Sequence, residues 1–244
     1  FVGDFDGTAF TSDQQNPKWL DYGTDNYAGV TYNNVPGEER IFIGWMSNWD
    51  YARDTPTKKW RSAMTVPRKL SLHKVKNDYF LANYPIEQID DLTSSTLVNQ
   101  VEVAAGASDT LQVEGLHQSD IRLNTAAKNF QLLFKNELDE VLVLDFDFTN
   151  QSLTVDRTSS GKVDFQEDFG AKKHVAPLKS LKEGSHQFKI LIDWSSMELF
   201  VDEGMLSMTE QLFPTSHYNT LIIVNEDKQA PIVIESIKKM ESVW

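Results

Sequence analysis

Helical spacing is nearly absent from this chain. Its apolar residues alternate with polar ones or run in short blocks bounded by Gly, Pro, Asn and Asp. Alternation places successive side chains on opposite faces of a strand, whereas an amphipathic helix needs apolar residues at three- and four-residue intervals. The pattern predicts an all-β fold. In the first third, strands are expected over residues 1–5, 19–22, 28–33, 40–47, 70–74 and 78–85, separated by turn formers such as Asp6-Gly7, Asn33-Asn34, Pro36-Gly37 and Asn77-Asp78. A polar, acidic stretch, YPIEQIDDLTSST, then interrupts the pattern with at most one helical turn. We expect a first domain over 1–85, a linker over 86–96 and a second domain over 97–244. Strands in the second domain are expected over 97–103, 110–113, 120–124, 130–135, 140–148, 152–156, 187–193, 197–201, 205–212, 220–225 and 232–240. Their turn-separated spacing suggests a β-sandwich. Glu198 to Gly204 reads as a hairpin with the acidic-Gly pair at its turn.

A length of 244 residues, 40% hydrophobic and 24% charged, fits a globular protein of one or two domains. The net charge of −13 repels nucleic acid and anionic membrane surfaces and is compatible with a neutral ligand. The absence of cysteine excludes disulfides, thiolate metal sites and a cysteine nucleophile. No apolar run is long enough to span a bilayer. The first residues, FVGDFDGTAF, carry neither an initiator methionine nor a signal pattern, so the chain is expected to be processed, cut or separated from an upstream part.

Residues 41–72, IFIGWMSNWDYARDTPTKKWRSAMTVPRKLSL, interleave Trp45, Trp49, Tyr51 and Trp60 with Asn, Asp and Arg. A buried strand carries some aromatics; a concave binding surface mixes flat rings with a few hydrogen-bonding groups. In an extended strand Trp45 and Trp49, four residues apart, share one face. Trp60 reads as structural, and the donors of Arg61 suit holding a loop. Asp4 and Asp6 lack the remaining ligands of an EF-hand loop. The histidines, His73, His117, His174, His186 and His217, show no metal-ligand spacing, and surface or strand-edge roles are expected for them. No GxSxG elbow occurs. Asn150-Gln151-Ser152 matches a glycosylation acceptor, and Asp156, Arg157 and Asp193 are expected to form a structural ion-pair cluster.

In order along the chain, FVGDFDGTAF, LDYGTDNYAGVTYNN and RIFIGWMSNWDYARDTPTKKWRSAMTVPRKLSL resemble the later part of the catalytic domain of glycoside hydrolase family 32, the invertases, levanases and inulinases. LTVDRTSSGKVDFQEDF, VAPL and ILIDWSSMELFVDEGMLSMTEQLFP are similar to that family's C-terminal β-sandwich. The resemblance implies the C-terminal part of a five-bladed β-propeller followed by a β-sandwich. It also implies retaining cleavage of β-fructofuranosyl bonds, in which two carboxyls face each other at ~5–5.5 Å. The family motifs that carry these carboxylates, WMNDPNG, RDP and EC, do not occur here; Arg53-Asp54-Thr55 only superficially resembles RDP, and Asp54 reads as a loop residue. No catalytic residue, metal or cofactor is therefore assigned. The resemblance implies that Trp45 and Trp49 line the sugar pocket, with Asp25 and Tyr27 as a second substrate-binding pair. The implied partners are a fructan or fructosyl oligosaccharide and a missing N-terminal propeller segment. A secreted, periplasmic or cell-surface location is favoured over a cytoplasmic one. A second reading is a non-catalytic fructan-binding module, for which the region after residue 97 offers only Trp194 and Trp244 as platforms.

Overall fold

Residues 1–243 are described by a computed structural model, and Trp244 lies outside them. Two short strands, β1 (Asp4–Phe5) and β2 (Phe10–Thr11), form a hairpin whose turn is fastened by Asp6, where Oδ1 accepts the Thr8 and Ala9 N–H groups at 2.7 Å. Next come β3 (Tyr27–Thr31), β4 (Ile41–Met46), β5 (Ala63–Met64), β6 (Arg68–Val75) and β7 (Asp78–Pro85). They form one antiparallel sheet in the order β3-β4-β6-β7, with β5 paired to β4. A 3-10 turn over Glu87–Leu92 occupies the acidic stretch.

The remaining strands are β8 (Thr93–Val103), β9 (Ser108–Gln112), β10 (Ser119–Thr125), β11 (Asn129–Lys135), β12 (Val141–Asp147), β13 (Ser152–Ser159), β14 (His174–Pro177), β15 (His186–Asp193), β16 (Ser196–Val201), β17 (Leu206–Gln211), β18 (Thr220–Asn225) and β19 (Ile232–Met240), with a four-residue helix, α1 (Glu167–Gly170), before β14. They build two six-stranded sheets, β17-β16-β15-β10-β19-β8 and β14-β13-β12-β11-β18-β9. Both contribute to one core, in which Leu123, Ile190, Leu199 and Ile234 from the first meet Phe130, Phe146 and Ile223 from the second. Phe130 and Phe146 stack at 4.4 Å, with Phe188 set edge-on against both.

Burial alternates residue by residue in β11 and β12, as expected for strands with one covered face. β16 and β17 break that rule, since every residue from Met197 to Val201 and from Leu206 to Gln211 is buried. Their second face is covered by the first third of the chain. The expected strand over 19–22 is not a strand of its own: it runs beside β17, with the Tyr22 N–H donating to Ser207 O at 2.9 Å and the Asp25 N–H to Thr209 O at 3.2 Å. Gly23 permits this approach, because a Cβ there would lie 2.1 Å from the Thr209 carbonyl oxygen. At the β16–β17 turn, Asp202, Glu203 and Gly204 all have positive φ. Gly204 accepts the Asn83 N–H at 3.0 Å, and any side chain there would strike the Asn83 carbonyl.

Arg68, at the start of β6, is fully buried in this junction. Its guanidinium donates to Asp21 Oδ2 and Asn83 Oδ1 at 2.7 Å, and to Glu198 Oε2 and Thr209 Oγ1 at 2.6 Å. It lies over the Phe200 ring at 4.7 Å. The acidic turn is tied down separately: Asp90 is 2.5 Å from the Lys189 Nζ, while Ile89 packs with Leu191 and Phe200. Burial pushes the Glu198 carboxyl above its ordinary value despite the charge of Arg68. Burial raises the Asp21 carboxyl too, but the Arg68 charge and the bonds from Thr209, Arg68 and Asn26 outweigh it and hold that carboxyl below its ordinary 3.8.

Two outcomes are expected. Arg68→Ala strands two buried carboxylates and should cost about 3–5 kcal/mol of stability by urea unfolding; a loss below about 1 kcal/mol contradicts the junction as described. Because the native pKa of Asp21 is depressed, its contribution is present above the unfolded value of 3.8 and is lost as the pH falls through the lower native one. Asp21→Asn should therefore flatten the acid limb of the stability profile below pH 3.8, and an unchanged limb would show that Asp21 is not the group responsible.

Candidate functional site

Trp45 lies near the end of β4, paired across the sheet with Tyr27 of β3 and Met64 of β5. Its indole N–H donates to Ser62 Oγ at 2.7 Å, and the Tyr27 ring stands edge-on at 6.1 Å. The Trp49 ring is 5.0 Å from that of Trp45. Strand parity does not produce this neighbourhood, because β4 ends at Met46 and Trp49 sits in the following turn. Asn48 shapes that turn. Its carbonyl oxygen accepts the Tyr51 and Ala52 N–H groups, Oδ1 accepts the Asp50 N–H at 3.0 Å, and Nδ2 donates to Thr24 O at 3.1 Å. Trp49 is 60% and Tyr27 52% exposed, while Trp45 is half-buried. The three rings form one surface with an apolar face and a wet edge.

Asp25 does not join them, which corrects the expectation from sequence. Its side chain is wholly buried, and both oxygens are taken: Oδ1 by the Tyr51 hydroxyl at 2.5 Å, Oδ2 by Arg157 Nη1 at 2.5 Å and by the Gln211 N–H at 2.8 Å. Arg157, equally buried, also donates to Thr24 Oγ1, Tyr51 Oη, Gln211 O and Phe169 O, and lies over the Phe169 ring at 3.9 Å. Glu210 completes the cluster at 3.1 Å from Arg157 and 2.8 Å from His174 Nδ1. Burial, then the neighbouring Asp25 charge, pushes the Tyr51 phenol far above its usual value, so it remains a donor. Burial also raises the Glu210 carboxyl, with Arg157 opposing.

Trp60 is 45% exposed and is not packed into the sheet as expected. Arg61 does hold its loop, donating to Thr55 O at 3.0 Å and Thr55 Oγ1 at 3.1 Å. Asp54 is an exposed turn residue whose N–H donates to Tyr51 O. The expected Asp156–Arg157–Asp193 cluster does not form: Asp156 points outward to Lys173 at 3.0 Å, Asp193 caps the Trp194 N–H, and Arg157 turns inward. His174 lies on the edge strand β14, as one of the two expected roles has it, but it and His186 are buried against Glu210 and Asp202 rather than lying at the surface. Among the described residues, no three His, Asp or Glu side chains converge on a point a metal ion would occupy.

The sequence reading gave Arg157 the wrong partners and overlooked Glu210, although a signal existed. Arg157 shares the strand parity of buried Leu153 and Val155, and Glu210 that of Leu206 and Met208. A charge in core register must find partners inside.

Comparison with known proteins places this geometry. The family model for the glycosyl hydrolases family 32 N-terminal domain matches residues 1–85, and that for the glycosyl hydrolases family 32 C terminal matches residues 85–241. The chain is 31% identical over its whole length to an extracellular exo-inulinase of Aspergillus niger, covering 48% of it, and 30% identical to a levanase of Bacillus subtilis, covering 37%. It thus spans half or less of these relatives. Among solved structures it is similar to the exo-inulinase of Aspergillus awamori, with a TM-score of 0.87 and 30% identity over the whole chain and 50% of that protein. It shares the fold of a β-fructofuranosidase from Schwanniomyces occidentalis, with a TM-score of 0.77 and 22% identity over 99% of this chain and 52% of that one. With both halves matched in order, the chain belongs to glycoside hydrolase family 32.

Proposed function

We propose that the chain is the C-terminal portion of a retaining glycosidase that cleaves β-fructofuranosyl bonds in fructans or sucrose. Residues 1–85 are then the last part of a five-bladed β-propeller and the two six-stranded sheets a β-sandwich; the linker expected over 86–96 is shorter, because β8 already begins at Thr93. The antiparallel path β3-β4-β6-β7, with the two-residue β5 paired to β4 beside it, supports the first assignment, since propeller blades are built on four antiparallel strands. The names of the inulinase and levanase relatives support the substrate class, and the word extracellular in one of them supports secretion.

The observation that carries the reading is the exposed Tyr27–Trp45–Trp49 surface. An aromatic face covers the apolar side of a furanose ring and excludes water, while hydroxyls are held at its edges. In this account the chain supplies that wall. The nucleophile, the acid and the stabilising Asp belong to the remainder of the protein, because their motifs do not occur here. Asp25 serves the wall from behind by fixing its supporting loop.

The chain alone should release no fructose from sucrose, levan or inulin, and expression together with the upstream segment should restore turnover. In that rejoined protein, Trp49→Ala should lower kcat/KM on fructo-oligosaccharide about tenfold, equivalent to ~1.4 kcal/mol. Release of fructose by the chain alone, or an unchanged kcat/KM in the variant, contradicts the proposal.

A further inference from the structure

A second aromatic surface lies on the two-sheet body, made without any residue of the first 85. Trp194 occupies the turn between β15 and β16, where Asp193 pairs with Ser196. Tight hairpin turns favour Gly, Asn or Asp, so an indole there serves no need of the turn. It is 58% exposed. Isolated exposed aromatics need no explanation, but this one is not isolated. The His217 ring lies 4.7 Å from it, and the His117 and His217 rings stack on each other at 3.9 Å, tilted by only 17°. His117 sits 6.1 Å from Trp194 and comes from the 3-10 turn Leu116–Gln118, while His217 comes from the loop before β18. Three separate segments thus place flat rings side by side at one end of the sheets.

The rim is polar and uncharged ligands suit it. Asp193 is exposed and uses Oδ1 for the Trp194 N–H, leaving acceptor capacity on Oδ2. Ser216 Oγ donates to exposed Glu137 beside His217. Burial, then the neighbouring His217, holds the His117 imidazole below its ordinary pKa, which keeps that ring neutral near pH 7. Flat apolar faces bordered by acceptors match the alternating apolar and hydroxyl surfaces of a sugar chain, whereas the net charge of −13 disfavours a polyanion.

We propose that Trp194, His217 and His117 form an accessory site that binds a segment of neutral fructan chain, built on rings other than those of the Tyr27–Trp45–Trp49 surface. The platform follows from the geometry alone; the choice of fructan rests on the function proposed above. Such a site holds polymer near the protein and raises its local concentration at the pocket.

Native gel electrophoresis of the 244-residue chain through gels containing levan, inulin or dextran tests this. Levan or inulin should retard the parent and dextran should not. Trp194→Ala, an exposed substitution with an unchanged unfolding midpoint, should weaken retardation at least fivefold, Trp194→Phe should retain part of it, and Trp49→Ala should leave most of it. Equal retardation of Trp194→Ala and the parent overturns the proposal, as does retardation by dextran alone or by none of the three. Loss in Trp49→Ala with none in Trp194→Ala also overturns it, while agreeing with the pocket wall proposed for Trp45 and Trp49.

Discussion

Two guanidinium groups with no access to water organise this structure. A buried arginine carries five donors and a charge that cannot be shed, so it must gather acceptors and carboxylates around it. Arg68 draws Asp21 and Asn83 from the first third to Glu198 and Thr209 of the two-sheet body. Arg157, from the body itself, draws in Asp25, Tyr51 and Thr24 and meets Glu210. Each cluster holds more acid than it has arginine, and burial, opposed by the arginine in each, raises the carboxyls of Glu198 and Glu210. In some proteins clusters of this kind contribute more to the choice of one arrangement than to net stability. Here they hold the segment around Tyr22 and Asp25 beside β17, where Tyr22 bonds Ser207 and Asp25 bonds Thr209.

That choice governs the aromatic surface. Asp25 lies two residues before Tyr27, and Tyr51 lies two residues after Trp49, so Arg157 grips the chain just outside both ends of the ring cluster. Asn48 closes the gap by bonding Thr24. The platform is therefore held in place before any ligand arrives, which lowers the ordering that binding would otherwise require. A sheet whose outer face is buried under a second unit thus becomes the foundation of a site to which it contributes no ring.

Much of this was legible in the chain. Alternation located most strands, and the β18, β19 and β7 ranges agree with 220–225, 232–240 and 78–85. It missed β2, β5 and β14, which are too short to show a period, and it misread 19–22, whose backbone follows β17 without forming a ladder of its own. The pairing of Trp45 with Trp49 was anticipated for the wrong reason, since a turn rather than strand parity brings the rings together. Asp25 was misassigned because polarity in a loop looks the same whether the partner is a ligand or an arginine over a hundred residues away. Only the fold reveals that distant partner. The stacked histidines were likewise invisible, since spacing along the chain says nothing about loops meeting at the end of two sheets.

The account stands most directly on the Asp25–Arg157 contact, and a double-mutant cycle on unfolding measures it. Asp25→Asn, Arg157→Met and the double variant should give a coupling energy of about 2–3 kcal/mol, because Asp25→Asn takes one of the two buried carboxylates from Arg157 and Arg157→Met leaves Asp25 with no cation beside it. Additivity within about 0.5 kcal/mol would contradict the claim that this pair joins the aromatic loop to the body.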